Sequence, residues 1–269
     1  MTHPLDLATA LVTEADGRYT GRFTPDYANM VGPFGGIIAA TLLNGALKHP
    51  QRLGMPVALT VNFAGPVADA PFVVNATPVR TNRASQHWWL TLSQDDQIAV
   101  SATAVFASRH DTEGHTEAGP PAVPDADQVP ALVTEGAGFL PVWLRRYEMR
   151  VARGGVSFDG QLRDSSETVL WTRDNPPRPL DFLSLTAFSD VFFPRSFVRR
   201  QQFKPAGTVS LTTLFHADAD SLARQGDGLI LGTARAQRFH RGYFDQSASL
   251  WSHDGELLAT STQLVYHKD

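Results

Sequence analysis

A strand–helix–strands plan is written twice along this chain, and a duplicated unit of roughly a hundred residues or more is the strongest constraint on its fold. In the first half a short strand candidate, Gly17 to Phe23, precedes Phe34-Gly35-Gly36, which opens a proline-free run of good helix formers from Ile37 to His49. Four strand-like runs follow Pro50: Val57 to Phe63, Phe72 to Val79, His87 to Ser93 and Ile98 to Ser108. Asp95-Asp96 marks a hairpin between the last two. In the last run Ile98, Val100, Ala102, Ala104 and Phe106 alternate with smaller or polar residues, the period of a half-buried strand. The second half repeats the order. Leu140 to Val151 and Thr168 to Thr172 read as strands, and Pro179 to Phe193 as a helix with Asp181 early in it and Pro194 ending it. Thr208 to His216, Leu229 to Ala236, Tyr243 to Trp251 and Leu257 to His267 read as four further strands, with His253-Asp254-Gly255 as the last hairpin turn.

The halves can be laid side by side. Ile98-Ala99-Val100-Ser101-Ala102-Thr103 matches Leu257-Leu258-Ala259-Thr260-Ser261-Thr262, and Leu59 to Phe63 matches Leu211 to Phe215. Between the halves, residues 110–138 are rich in Pro, Gly, Asp, Glu and Ala and keep neither a helical nor a strand period, so they read as a linker running over the surface. One helix against one antiparallel sheet is α+β architecture. A long helix wrapped by such a sheet is the hotdog fold, so the chain is expected to be a double hotdog. Its expected divisions are an N-terminal hotdog at 1–109, the linker at 110–138 and a C-terminal hotdog at 139–269.

Composition removes several functions. The net charge of -4, with no long basic run, argues against nucleic acid, which needs clustered cations. The basic residues Arg195, Arg199 and Arg200 are the one small group. Without cysteine there is no disulfide, thiolate metal site or Cys nucleophile, which fits a reducing cytoplasm. Met1 to Thr13 lacks the pattern of a signal peptide, and Ile37 to Leu43 is too short an apolar run to span a bilayer. The scattered histidines form no HExxH or similar spacing, so no metal is expected. G-x-S-x-G, GxGxxG and P-loop patterns are absent, and no cofactor is expected. Trp143, Leu250 and Trp251 read as apolar residues on outer sheet faces, which would favour a homo-oligomer.

Two polar residues stand out. Asp190 sits among Phe182, Leu183, Leu185, Ala187, Phe188, Val191, Phe192 and Phe193. It is either an exposed residue on the polar stripe of a helix or a buried carboxylate that needs hydrogen-bond partners. Gln263 follows Ser261-Thr262 in the last strand, facing either solvent or a site. Its counterpart in the first half is Ala104, and the first helix, Phe34 to His49, contains no Asp or Glu. Any acid–amide site is therefore present once per chain. Gly35 and Gly36 serve a tight turn or allow close backbone approach to a ligand, with helix-start N–H groups free to meet an oxygen.

These segments resemble the TesB-like acyl-CoA thioesterases, the acyl-CoA thioesterase II family. The resemblance rests on Phe34-Gly35-Gly36, the FAGP of Phe63 to Pro66, Leu185 to Asp190, Leu214-Phe215-His216 and the LWSHDGELLATSTQ of Leu250 to Gln263. It covers nearly the whole chain outside the linker. It implies hydrolysis of an acyl-CoA through a water held by an Asp, a Thr or Ser and a Gln. Here these are Asp190, Thr208 and Gln263, with Gly35 and Gly36 at the substrate. Where the family often carries Asp-His inside the strand after the helix, this chain has Ser210 and Leu211, so Ser210 is the alternative hydroxyl. A non-catalytic acyl-CoA or lipid-binding protein is the alternative function.

Overall fold

The computed structural model describes residues 2–134 and 140–268, so residues 135–138 of the expected linker lie outside the described residues. The first half contains α1 (Pro4–Ala8), β1 (Val12–Ala15), β2 (Arg18–Gly21), α2 (Gly35–Lys48), β3 (Met55–Phe63), β4 (Phe72–Thr81), β5 (Ser85–Gln94) and β6 (Gln97–Ala107). The second contains β7 (Tyr147–Arg153), β8 (Thr168–Asp174), α3 (Phe182–Phe188), α4 (Arg195–Arg200), β9 (Ala206–Phe215), α5 (Ala219–Gln225), β10 (Ile230–Arg235), β11 (Phe239–His240), β12 (Tyr243–Trp251) and β13 (Leu257–His267). The strands form one antiparallel sheet in the order β1-β2-β4-β5-β6-β3-β9-β13-β12-β10-β8-β7, with β11 on β12. The fold is a double hotdog, and α2 and α3 are the two sausages.

The halves join where β3 pairs with β9, from Ala58 opposite Leu214 to Asn62 opposite Ser210. Thr60 lies opposite its own counterpart in the repeat, Thr212, and their hydroxyls are 3.1 Å apart. A local two-fold axis therefore passes between them. The same symmetry carries Thr103, the partner of Thr60, onto Thr262, the partner of Thr212. The repeat read from the sequence is thus a repeat in register. Hairpin chemistry helps to set it: Asp95 and Asp96 both take positive φ, at 48° and 59°, and Gly255 takes 89°. The apolar core runs unbroken through both halves. Phe34 of the first half stacks on Trp143 of the second, with centroids 4.1 Å apart.

Several expectations change. The strand at 17–23 is a hairpin, β1 and β2, turning at Gly17 with φ 74°. The stretch from Leu140 begins as a 3-10 turn, Val142–Arg146, because Leu144 N–H closes onto Pro141 O, and only then becomes β7. The helix expected over 179–193 is shorter. Asp181 caps its start by accepting from the N–H groups of Leu183 and Ser184. It stops at Ser189, and Pro194 caps the next helix, α4, rather than ending this one.

Trp143, Leu250 and Trp251 are all buried within the chain, so they offer no outer apolar face to a second copy. Trp251 belongs to a small cluster with Val169 and Leu231, against which Val123 of the connecting segment packs. Pro124 O in that segment accepts from Trp171 Nε1 at 3.1 Å. The connecting chain therefore covers apolar side chains that the strand pattern alone places outside.

Candidate active site

Helix α3 tightens at its end, where Asp190 N–H bonds to Ala187 O and Val191 N–H to Phe188 O, and the carbonyl of its cap, Ser189, is claimed from elsewhere. In a longer helix Ser189 O would accept from Phe193 N–H. Here it accepts from Gln263 Nε2 at 3.2 Å and from Ser261 Oγ at 3.4 Å, both from β13. The chain turns, and Asp190 lies just beyond the helix rather than late within it, part-buried. Its Oδ1 accepts from Gln263 Nε2 at 2.9 Å. That amide faces two acceptors, so its orientation follows from its partners, and its oxygen is left to accept from Thr208 Oγ1 at 3.3 Å. Asp190, Gln263 and Thr208 thus form one chain of hydrogen bonds drawn from α3's exit, β13 and β9. Gln263 is 3% exposed.

The choice between Thr208 and Ser210 turns on a β-bulge. Ser210 pairs with Leu264, but the next partner, Val265, pairs with Thr208, which leaves Val209 as an extra residue in β9. Two residues on one strand then oppose one on the other, and the inside–outside alternation shifts by one. Ser210 shares the face of exposed Leu264, whereas Thr208 shares the face of buried Val265 and Gln263. The first half carries the same bulge at Val57, between Pro56 and Ala58. There Pro56 stands at the Thr208 position and Ala104 at the Gln263 position, so that half has the geometry without the side chains.

The first half contributes a helix start instead. The N–H of Gly36, at the head of α2, interacts with the Asp190 carboxylate. A carboxylate is favoured at that end of the helix dipole. The approach requires glycine: a Cβ on Gly35 would sit 2.6 Å from Asp190 Oδ2, and one on Gly36 would sit 2.7 Å from Ala187 O. Burial pushes the Asp190 carboxyl up to about 7, and the Gln263 and Gly36 contacts act in the opposite sense. A carboxyl poised there exchanges protons near neutral pH.

Around this core stand residues that the sequence did not single out. Tyr147 packs edge-on against Phe34, Trp143 and Phe188, and its hydroxyl is buried without a partner among the described residues. Ser189 acts through its backbone oxygen, which no side-chain pattern reveals. Among the described residues no group of three His, Asp or Glu side chains converges to hold a metal ion.

A double hotdog with one composite acid–amide–hydroxyl cluster where its halves meet defines the class of protein. The chain belongs to the acyl-CoA thioesterase family. The model of the acyl-CoA thioesterase C-terminal domain matches residues 117–267, and that of the N-terminal domain matches 24–107. Among solved structures, a conserved protein of unknown function with a hot dog fold from Alicyclobacillus acidocaldarius is 48% identical, with a TM-score of 0.95 over 100% of this chain and 99% of that one. An acyl-CoA thioesterase II from Mycobacterium marinum is 17% identical with a TM-score of 0.78, over 98% of each chain. The tesB protein of Mycobacterium avium subsp. paratuberculosis is also 17% identical, with a TM-score of 0.79 over 98% of each chain. At that identity these two show the shared fold. No curated protein matches the chain in sequence. No helix among the described residues is long and apolar enough to cross a membrane.

Proposed function

We propose that this protein hydrolyses an acyl-CoA thioester to the free acid and CoA, with Asp190 as general base, Thr208 holding the water and Gln263 holding Asp190 and Thr208 in place. The observation that carries the reading is the hydrogen-bonded chain from Asp190 through Gln263 to Thr208. Thr208 gives its proton to Gln263 Oε1, so its lone pairs are free to accept from a water. That water donates its other proton to Asp190. As its oxygen attacks the thioester carbonyl carbon, Asp190 takes the proton. Collapse of the tetrahedral intermediate breaks the C–S bond, and the departing thiolate recovers the proton from Asp190. Gly35 and Gly36 let α2 come close enough for its first turn to steady the carboxylate. The division into hotdogs at 1–109 and 139–269 with a linker at 110–138 belongs to the same reading, with one site per chain.

Release of free CoA from a panel of acyl-CoAs tests the activity directly; tight acyl-CoA binding with no release would favour a binding protein instead. Two pairs of variants test the site. Thr208→Ala is expected to lower turnover by about tenfold or more, the cost of a hydrogen bond to a polarised group. Ser210→Ala, on the opposite face, is expected to leave turnover within about twofold, as for a substitution remote from the reacting groups. Equal effects would remove Thr208 from the mechanism. Gly35→Ala must displace the carboxylate or the helix, and misplacement of about 1 Å is expected to cost on the order of 10²-fold in turnover. Full activity in Gly35→Ala, measured in the same assay, would show that the close approach is dispensable.

A further inference from the structure

The strand end nearest Thr208 carries a group of cations that the hydrolytic chemistry does not use. Lys268 follows β13 and donates its backbone N–H to Pro205 O at 2.9 Å, which brings it beside Lys204 at the approach to β9. His267 N–H bonds to Gly242 O at 2.8 Å, which brings the Arg241-Gly242 turn to the same end. Arg241 and Lys268 are exposed and Lys204 is half-buried, and none of the three has an ion-pair partner among the described residues. The nearby carboxylate of Asp245 is taken up by the backbone N–H groups of Gln237 and Arg238. Three cations without ion-pair partners, from three separate segments, thus meet at one strand end of a chain whose net charge is -4, with the Asp245 carboxylate beside them.

An aromatic pair adjoins them. Tyr243 and Tyr266 lie directly opposite each other on β12 and β13, 45% and 41% exposed, with ring centroids 5.7 Å apart. A Cβ on Gly242 would lie 3.8 Å from the Tyr266 ring, so the Arg241 turn and the ring abut. Exposed rings beside unpaired cations match a purine carrying phosphates: the base stacks and the phosphates take the charge. From Thr208 back to Pro205 is three residues, about 10 Å of extended chain. An extended pantetheine arm has the reach to leave the site there and turn round the strand ends.

We infer that Lys204, Arg241 and Lys268, with Tyr243 and Tyr266, bind the 3′-phosphoadenosine diphosphate end of CoA; the inference rests on the thioesterase reading for the direction of the arm. The test compares wild type with a Lys204→Gln/Arg241→Gln/Lys268→Gln variant on an acyl-CoA and on the matching acyl-N-acetylcysteamine thioester, which lacks the nucleotide. The preference in kcat/KM for the CoA ester is expected to fall about tenfold or more, as for loss of charge-assisted contacts. Calorimetry with CoA and with 3′,5′-ADP should show weaker binding to the variant, and wild-type affinity should fall as salt rises. An unchanged preference together with unchanged CoA affinity overturns the inference. If wild type cleaves neither ester, the thioesterase reading has failed by itself, and the calorimetry alone decides whether these residues bind CoA. Absence of CoA binding to wild type overturns the inference.

Discussion

Asp190→Asn is expected to lower thioester turnover by about 10²–10⁴-fold, the usual worth of a general base. Asparagine keeps the size and one oxygen, so the loss reports the missing base rather than a missing shape. The pH profile carries a second signature. Burial holds the wild-type carboxyl at about 7, and only its ionised form accepts the water's proton. kcat/KM should therefore rise with pH and reach half its plateau near 7. The same shift works against stability. The folded-state value lies above the ordinary carboxylate range of about 4, so folding favours the protonated acid. That contribution is present in full below pH 4 and is lost as pH rises through 7. Asp190→Asn, always neutral, should consequently match wild type in stability at pH 4 and exceed it at pH 8. Full activity in the variant would dispose of the mechanism, and urea midpoints that do not diverge with pH would contradict the burial.

Arg195→Ala is expected to cost about 3 kcal/mol or more of stability, since each buried acceptor left unpaired costs about 1–3 kcal/mol. The side chain is 0% exposed. Its Nη1 donates to Ser166 O at 2.9 Å, Thr168 Oγ1 at 2.8 Å and Ala234 O at 3.2 Å. Its Nε donates to Phe193 O at 3.0 Å, and its Nη2 donates to the same oxygen. The guanidinium also lies 5.8 Å from the centre of the Phe192 ring. Burial pulls its pKa down to about 9, which leaves it charged at neutral pH. The cation thus ties the turn after Asp190 to β8 and β10 through carbonyl and hydroxyl oxygens. Lysine has no planar fork to reach these acceptors together, so Arg195→Lys should recover little of the loss. An unchanged urea midpoint in Arg195→Ala would show that water or a rearranged backbone satisfies the acceptors.

Much of this was legible in the sequence because it is local. Alternation in Ile98 to Ser108, the Asp95-Asp96 turn and the proline-free run after Gly36 each act within a few residues. Comparing the halves also showed that Ala104 stands where Gln263 does, and the sheet register bears that correspondence out. What the sequence by itself determined, then, is the duplicated α+β plan and the presence of an acid and an amide in one half only. The tertiary structure decided where α3 stops, because Ser189 O is captured by Ser261 and Gln263, more than seventy positions away. It decided that Thr208 rather than Ser210 shares the face of Gln263, because a bulge is a property of two paired strands and has no signature in one. It buried Trp251 under the connecting segment and Arg195 among oxygens from β8, β10 and the turn at Phe193. In each case a polar or apolar group had competing partners, and those that prevailed were distant in sequence, so only the closed fold could bring them together.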